Sequence, residues 1–315
     1  MHSDLNLHGL PTKTGTVAVP GATLYYKTQG EGPLLLILQG GDGDANGAGA
    51  IANRLSNRYT VVSYDRRGLS HSGLTARAEG LRLETHADDA HALLASLTTD
   101  PAYVLGMSLG ALLGLDLVSR YPQQVQELIC HEPPATQVLP DADRVRADSH
   151  QVDIETTFRE EGAPGAMRKF AELAGLDFSE MEPGVELPRP GPERISSLTF
   201  FLTYDAPAVR HYRLDWAKME NVKDKIVIAV GHRSGAHVPH HCALALAKQI
   251  GLDVEEFPGG HGGFVTHPAA FASKVDEVFS RRVGRLNDST RWNPSNRVAF
   301  ARSRDLAAAK RYADQ

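Results

Sequence analysis

The stretch AYVLGMSLG, residues 102–110, carries the strongest structural signal in the chain. Its first four residues form an apolar run typical of a buried strand. Apolar residues then recur at helical spacing from Leu109 to Tyr121, just before Pro122. Between the two elements, G-x-S-x-G places Ser108 at the apex of a tight turn, where small neighbours accommodate a strained backbone. Strand, turn and helix together predict that Ser108 is a nucleophile, the alternative being a glycine-rich turn with an idle serine.

Length and composition narrow the class of protein. The chain has 315 residues, of which 42% are hydrophobic, enough for one substantial α/β core or for a core with an inserted subdomain. The net charge of −5 is spread along the chain, so we expect no nucleic-acid partner. No apolar run reaches the roughly 18 residues that span a bilayer, and the first 16 residues lack the apolar segment of a secretory signal.

Two cysteines, Cys130 and Cys242, are too few for a disulfide framework, and Cys130 ends an apolar run, which favours a buried reduced thiol. We therefore expect a cytoplasmic enzyme with a small-molecule substrate and no membrane partner. The sequence leaves open whether the chain forms a homo-oligomer.

Strand and helix patterns alternate along the chain, which favours a largely parallel sheet covered on both faces. Eight strands are predicted, at residues 14–19, 22–27, 34–38, 59–64, 102–105, 125–130, 226–230 and 254–257. Between residues 134 and 224 the strand signal disappears, and proline- and glycine-rich pieces interrupt a helical pattern. We predict a core of residues 1–133 and 225–284, a helical lid of residues 134–224, and a tail of residues 285–315.

From residue 14 to about 283, the chain resembles the α/β-hydrolase superfamily. The resemblance rests on QGG at 39–41, YDRRG at 64–68, GMSLG at 106–110 and His261. It implies an α/β-hydrolase fold, with a mostly parallel eight-stranded sheet flanked by helices and an inserted helical lid. Within the superfamily, ICHEPP at 129–134 and GH at 260–261 followed by VTHP at 265–268 resemble lactonases of the zearalenone type. That resemblance implies a Ser-His-Glu triad with Glu132 as the acid.

The residues themselves point to the same base and acid. His261 lies between two glycine pairs after the last predicted strand, on a loop that can reach the nucleophile, so we predict that it is the general base. The segment VGHRSGA at 230–236 holds no carboxylate, and Ser234 stands where many α/β-hydrolases have an aspartate. Glu132 follows the strand 125–130 and is the predicted acid that orients His261, its alternative role being a surface glutamate before a Pro-Pro turn.

Backbone N–H groups are the predicted donors of an oxyanion hole. Leu109 lies at a helix N-terminus, where N–H groups lack partners and the helix dipole favours an anion, and Gly41 supplies the second donor from the QGG loop. Further contacts with the substrate are expected from two residues of that loop and two aromatic residues of the lid: Gly40, Asp42, Tyr204 and Trp216.

Two patterns suggest metal sites but fit them poorly. DGDANG at 42–47 matches the first half of a calcium loop, yet position twelve would be Asn53 in place of a bidentate glutamate, so a flexible loop is favoured. Histidines 232, 237, 240 and 241 match no strong zinc spacing, although one of them could reach the substrate pocket. We expect no metal and no cofactor, and we interpret Asp65 to Gly68 as a structural loop.

The sequence therefore predicts a serine hydrolase that cleaves an ester or lactone through an acyl-serine intermediate. Epoxide hydrolase and haloalkane dehalogenase chemistry would require an aspartate in place of Ser108. Carbon–carbon bond hydrolysis and cofactor-free perhydrolysis stay open because the same triad serves them. A ligand-binding, receptor-like protein on the same fold also stays open, since a fold does not by itself fix a function.

Overall fold

A single sheet organises the computed structural model, which describes residues 11–41, 43–78, 80–187 and 192–289. Within these residues the sheet has nine strands in the spatial order β1-β2-β4-β3-β6-β7-β8-β9, and β5 pairs with β2 at one end. The strands are β1 (Lys13–Val19), β2 (Ala22–Gln29), β3 (Leu34–Leu38), β4 (Thr60–Tyr64), β5 (Gly73–Leu74), β6 (Ala102–Met107), β7 (Val125–His131), β8 (Ile226–Gly231) and β9 (Val254–Phe257).

Six of the strands are parallel to their neighbours and carry the candidate site at their carboxyl ends. The hairpin β1–β2 is antiparallel, as is the pairing of β2 with β4, whereas every pairing from β4 through β3, β6, β7 and β8 to β9 is parallel. The apolar run of β3 is buried over Leu35–Leu38, as expected for a strand covered on both faces. The predicted α/β-hydrolase fold is confirmed, with one addition. The strand β5 has two exposed residues and is too short to leave a periodic signal.

Eleven α-helices occur in the described residues, and two of them cover the strands nearest the site. Helix α3 packs against β6 and β7, α2 packs against α3, and α9 packs against β8. The helices are α1 (Gly49–Leu55), α2 (Leu83–Leu97), α3 (Leu109–Arg120), α4 (Asp141–Glu161), α5 (Ala163–Ala174), α6 (Pro192–Phe200), α7 (Ala206–His211), α8 (Trp216–Glu220), α9 (Val238–Ile250), α10 (Gly263–Thr266) and α11 (Pro268–Ser289).

The segment between β7 and β8 holds helices and no strand in the residues that the structure describes. Besides α4 to α8 it contains a π-helical turn, Phe201–Asp205, which joins α6 directly to α7. Phe201, Leu202 and Met219 of this segment are buried in the same apolar cluster as the strands. Its assignment as a lid that covers a substrate stays a prediction.

The chain divides into two compact units, Met1–Val275 and Asp276–Gln315. The first unit contains the sheet and every residue of the candidate site. In the second, the described residues continue α11, where Arg281 and Glu277 form an ion pair one helical turn apart. Most of the predicted tail, from residue 290 onward, lies outside the described residues. Cys130 and Cys242 are both buried free thiols.

Helix α3 approaches the sheet more closely than a side chain would allow. A Cβ added to Gly110 would lie 1.9 Å from the carbonyl oxygen of Leu38, and one added to Gly106 would lie 2.6 Å from the carbonyl oxygen of Gly110. Both obstacles are backbone atoms, which cannot rotate away. The glycines that flank Ser108 therefore set the distance between helix and sheet.

This close contact predicts that Gly110→Ala destabilises the protein by about 3 kcal/mol, because overpacking a rigid site costs on the order of 1–3 kcal/mol. Gly49→Ala is the matched control, since Gly49 also opens a helix and a Cβ there would meet nothing within 4 Å. Alanine is the better helix former, so this control should unfold at the same or a higher urea concentration than the wild type. Equal midpoints for the two variants in urea titrations would contradict the close packing.

Candidate active site

Ser108 lies where β6 ends and α3 begins, with an unusual backbone conformation. Its φ and ψ are 54° and −121°, a region that residues with a side chain rarely adopt. The Ser108 N–H donates to the carbonyl oxygen of His131 at 2.9 Å, which fastens the turn to the end of β7. Ser108 is partly exposed between buried neighbours, so its hydroxyl reaches solvent at the edge of the sheet. Strain of this kind persists only where the surroundings fix it, and it concentrates at functional sites.

The two predicted oxyanion donors flank the serine. Leu109 is the first residue of α3, whose initial N–H groups have no acceptor within the helix. Gly41 follows β3 on the neighbouring strand, has a φ of 31°, and faces open space where a Cβ would project. Gly40 packs against Ser108, because a Cβ on it would lie 2.9 Å from Ser108 Cβ. Gly41, Ser108 and Leu109 border one cavity, in which an anion beside the serine could meet two N–H groups.

A buried histidine and glutamate lie at the same edge of the sheet. His261, on the loop between β9 and α10, is 4% exposed and hydrogen-bonds through Nδ1 to Glu132 Oε2 at 2.7 Å. Glu132 follows β7, has a φ of 48°, and accepts the N–H of Gly231 at its other oxygen at 2.8 Å. With Nδ1 engaged, Nε2 of His261 is the nitrogen left to accept a proton.

Glu132 is ionised at neutral pH despite its burial. Burial alone raises the pKa of a carboxyl group, but the hydrogen bond with His261 and the charges of His131 and His261 outweigh it and lower the pKa of Glu132 to about 2. The side chain of His240, on α9, adds a third group, with Nδ1 3.5 Å from Glu132 Oε1. The negative charge therefore stands ready to stabilise a proton on His261.

His131, next to Glu132 in the sequence, is a neutral packing residue. Burial lowers its pKa to about 4, and neither ring nitrogen has a hydrogen-bond partner among the described residues. Its ring packs edge-on against Phe257 and Phe271 at centroid distances of 5.8 and 5.3 Å. The backbone of His131 holds Ser108 in place, while its side chain fills the core behind the His261–Glu132 pair.

A largely apolar cavity opens onto Ser108. It encloses about 690 Å³ of empty space, its mouth included. Helices of the inserted segment supply Phe170, Leu173, Phe201 and Val209, and α9 supplies Val238 and Pro239. Besides Ser108, the polar side chains of the lining are Thr136, Asp148, Gln151 and Arg210. The lining suits a substrate group that is removed from water on binding.

The structure brings some predicted residues together and leaves others apart. Ser108, Leu109, Gly41 and Gly40 converge, and His261 pairs with Glu132. Trp216 lies on α8 with 37% of its surface exposed, and Tyr204 lines a separate depression beside Gly80 and Arg82, so neither borders the cavity. The expectation that they contact the substrate finds no geometric support. Asp42 lies outside the described residues.

Sequence reasoning missed residues that reach the site from far along the chain. Of the histidine cluster, His240 contacts Glu132. Arg66, interpreted as structural, contacts the loop that carries Gly41. No local pattern signals either contact. Phe170, Leu173 and Val209, which line the cavity, had only the helical pattern of their segment as a signal.

Within the described residues, no cluster of three or more histidine, cysteine, aspartate or glutamate side chains could hold a metal ion. A search of the same residues found no helix with the length and hydropathy to span a bilayer.

Comparison with known proteins identifies the class to which this fold and this turn belong. Residues 33–268 match the family described as the alpha/beta hydrolase fold, which is about three quarters of the chain. The chain belongs to this family, and it is a hydrolase by fold and by the names of its relatives.

Individual relatives cover nearly the whole chain. The hydrolase YraK of Bacillus subtilis strain 168 is 38% identical over 271 residues, covering 85% of this chain and 96% of its own length. An alpha/beta hydrolase from Sphaerobacter thermophilus DSM 20745 superimposes with a TM-score of 0.63 at 23% identity, covering 84% of this chain and all of its own. Est816, described as an N-acyl homoserine lactone degrading enzyme, has a TM-score of 0.62 at 18% identity and covers 84% and 99%. At these identities, the two structures show similarity of fold alone.

The lowered pKa of Glu132 predicts how stability depends on pH. Because this pKa is about 2 in the folded protein and near 4.5 in the unfolded chain, the ionised carboxylate stabilises the fold by about 3 kcal/mol above pH 5. That contribution is lost as pH falls from about 4.5 towards 2. In Glu132→Gln, urea titrations at several pH values should therefore show a smaller loss of stability over this interval.

Glu256→Gln is the control for this measurement. It removes a second glutamate–histidine pair, with His232, whose side chains are exposed and screened by water. The control should follow the wild-type pH profile. A Glu132→Gln profile parallel to that of the wild type would contradict an ionised, buried Glu132.

Proposed function

We propose that the protein is a serine hydrolase that cleaves a carboxylic ester or lactone with an apolar part, through an acyl-serine intermediate. One observation carries the proposal. Ser108, which has a strained backbone and borders the cavity with Gly41 and Leu109, follows β6, and Glu132, which binds His261 in a buried pair, follows the adjacent strand β7. Nucleophile, base, acid and oxyanion donors are the four components that acyl transfer through serine requires.

In the first half-reaction, Ser108 Oγ attacks the carbonyl carbon and its proton passes to Nε2 of His261. The carbonyl oxygen becomes an oxyanion, which the N–H groups of Leu109 and Gly41 stabilise. Ionised Glu132 stabilises the imidazolium of His261 without taking the proton. When the tetrahedral intermediate collapses, the bond to the alkoxy oxygen breaks and His261 protonates the leaving alcohol, which in a lactone stays attached to the acyl chain.

The second half-reaction restores the serine. His261, now neutral, removes a proton from a water molecule as that water attacks the acyl carbon. The oxyanion donors act again, and collapse returns the proton to Ser108 Oγ and releases the acid. All protons and electron pairs are supplied by the substrate, water and these side chains, so the scheme requires no cofactor.

The assignment as an esterase or lactonase rests on the lining of the cavity and on the resemblance of the Glu132 segment to lactonases of the zearalenone type. The lining is mostly aliphatic and aromatic, which favours substrates whose apolar groups leave water on binding. Its charged members include Arg210, which is paired with Glu155 at 3.1 Å. A substrate without a strong negative charge fits this lining best.

A fluorophosphonate probe tests the nucleophile. We expect the wild type to be labelled once, on Ser108, and Ser108→Ala not to be labelled. Ser119→Ala is the matched control, because Ser119 lies on α3 and its hydroxyl donates to the carbonyl oxygen of Asp116 in the same helix. Glu132→Gln should be labelled slowly and lose about 10⁴-fold in kcat, as expected when the base loses its orienting acid. Equal labelling of the wild type and Ser108→Ala would move the nucleophile elsewhere and refute the mechanism.

A series of p-nitrophenyl esters tests whether the cavity holds the apolar part of the substrate. We expect Val209→Trp, which fills the cavity, to lower kcat/KM for the octanoate by about 10- to 200-fold and to leave the acetate nearly unchanged. Trp216→Ala, which alters an exposed residue outside the cavity, should leave kcat/KM unchanged for both the octanoate and the acetate. An equal loss for the two esters in Val209→Trp would place the substrate's apolar part elsewhere.

A further inference from the structure

Arg66 extends from the end of β4 into the loop that carries the oxyanion donor Gly41. It is 2% exposed, and its guanidinium donates to three successive carbonyl oxygens. Nη1 lies 3.1 Å from the oxygen of Gln39 and 3.4 Å from that of Gly40, and Nη2 donates to the oxygen of Gly41. One planar side chain thus binds every carbonyl of the QGG loop.

These bonds set the direction of the Gly41 N–H. A trans peptide is planar, so its C=O and N–H point in opposite directions. The carbonyl oxygen of Gly40 and the N–H of Gly41 belong to the same peptide. Because Arg66 holds that oxygen on one side, the N–H must point to the other. The Gly43 N–H donates to the same oxygen at 2.8 Å, so Arg66 and this turn bond together fix the Gly40–Gly41 peptide, and Gly41 has a positive φ.

The same guanidinium is bound to the inserted helical segment. Arg66 Nη2 lies 3.0 Å from Asp205 Oδ2, and Asp205 Oδ1 lies 2.9 Å from His86 Nε2 on α2. All three side chains are almost fully buried. Asp205 ends the π-helical turn, and its neighbour Ala206 and the first residue of that turn, Phe201, line the cavity. The residues that would touch the substrate and the loop that would hold the oxyanion therefore share one buried ion pair.

We propose that Arg66 is a positioning residue that aims the Gly41 N–H at the oxyanion, and that Asp205 couples this alignment to the packing of the π-helical turn over the substrate. Arg66 contacts no substrate atom in this proposal. It rests on the proposed hydrolase mechanism for its effect on rate, while its effect on the loop is independent of that mechanism.

Arg67 provides a matched control one residue away. It too is buried and forms a two-point ion pair, with Nε 2.7 Å from Asp89 Oδ2 and Nη2 2.5 Å from Asp89 Oδ1. Its remaining bond goes to the carbonyl oxygen of Pro20, at 3.2 Å. Among the described residues, it donates to neither the QGG loop nor the inserted segment. Arg67→Lys therefore reproduces the loss of a buried two-point ion pair without disturbing Gly41.

The experiment compares Arg66→Lys with Arg67→Lys in the full chain. A lysine keeps the charge but cannot span three carbonyls and a carboxylate with one nitrogen. We expect Arg66→Lys to lose about 10²-fold in kcat with KM nearly unchanged, as when one oxyanion donor is misplaced. A trifluoromethyl ketone, which forms a tetrahedral adduct with serine, should bind more weakly by a similar factor. Arg67→Lys should keep both kcat and this affinity.

Hydrogen exchange provides a readout that needs no activity. In Arg66→Lys we expect faster exchange in the peptides that cover residues 39–41 and 201–205. We expect the same in Asp205→Asn, a variant in which Arg66 is not substituted. Arg67→Lys should leave both peptides unchanged. If Arg66→Lys is too unstable to study, Asp205→Asn carries the test.

The results distinguish the two proposals. A wild type without esterase activity or fluorophosphonate labelling would refute the proposed function, and the exchange data would still decide the role of Arg66. Exchange in residues 39–41 that is unchanged in Arg66→Lys or Asp205→Asn would overturn the positioning role. So would a loss of kcat in Arg67→Lys as large as in Arg66→Lys, since that would reflect a general effect of disrupting a buried ion pair.

Discussion

Two backbone hydrogen bonds continue the parallel sheet one residue past the ends of its strands, and the site depends on them. The N–H of Ser108, after β6, donates to the carbonyl oxygen of His131 on β7, and the N–H of Glu132, after β7, donates to that of Ala229 on β8. Both residues have a positive φ, which costs on the order of 1–3 kcal/mol for residues with a side chain. Each bond fixes the strained residue against its neighbouring strand. Ser108 and Glu132 are thus both positioned by the register of β6, β7 and β8.

Buried ion pairs lie near these strand ends, and they orient neighbouring groups more than they stabilise the fold. Removing an ion pair from water can cost as much as the pair's attraction returns, so a buried pair is weak evidence of stability. Arg66 with Asp205 and Glu132 with His261 are nevertheless almost fully enclosed, and each holds a group that the proposed chemistry needs in one orientation. Arg66 orients a peptide and Glu132 orients an imidazole. A flexible neutral contact would meet neither requirement.

The elements that were predicted well are those whose signal is local. Three elements occur as predicted, because neighbouring residues alone determine their patterns: the strand 34–38, the helix 83–97 and the turn at Ser108. The strand is buried on both faces and the helix on one, and each kind of burial leaves its own apolar spacing in the sequence. The sequence predicts that Glu132 pairs with His261, because residues 230–236 contain no carboxylate. The contact of Arg66 with Asp205 joins residues 139 positions apart and leaves no periodic trace. The expectation for Trp216 and Tyr204 came from residue type alone, which does not say towards which side of a helix an aromatic ring points.

The sheet also explains why an acid after β7 suits this chain. The loop that carries His261 packs directly on the end of β8, where a Cβ on Gly231 would lie 2.6 Å from the carbonyl carbon of Gly260. Any residue with a side chain at 231 would displace that loop. The Gly231 N–H donates to one oxygen of Glu132, while His261 binds the other. Glycine at the end of β8 therefore both admits the histidine and helps to hold the glutamate. The side chain of glutamate is longer than that of aspartate and reaches from the end of β7 to the end of β8. The Glu132–His261 pair therefore forms without a charged residue at position 234, where Ser234 is buried in the turn after β8.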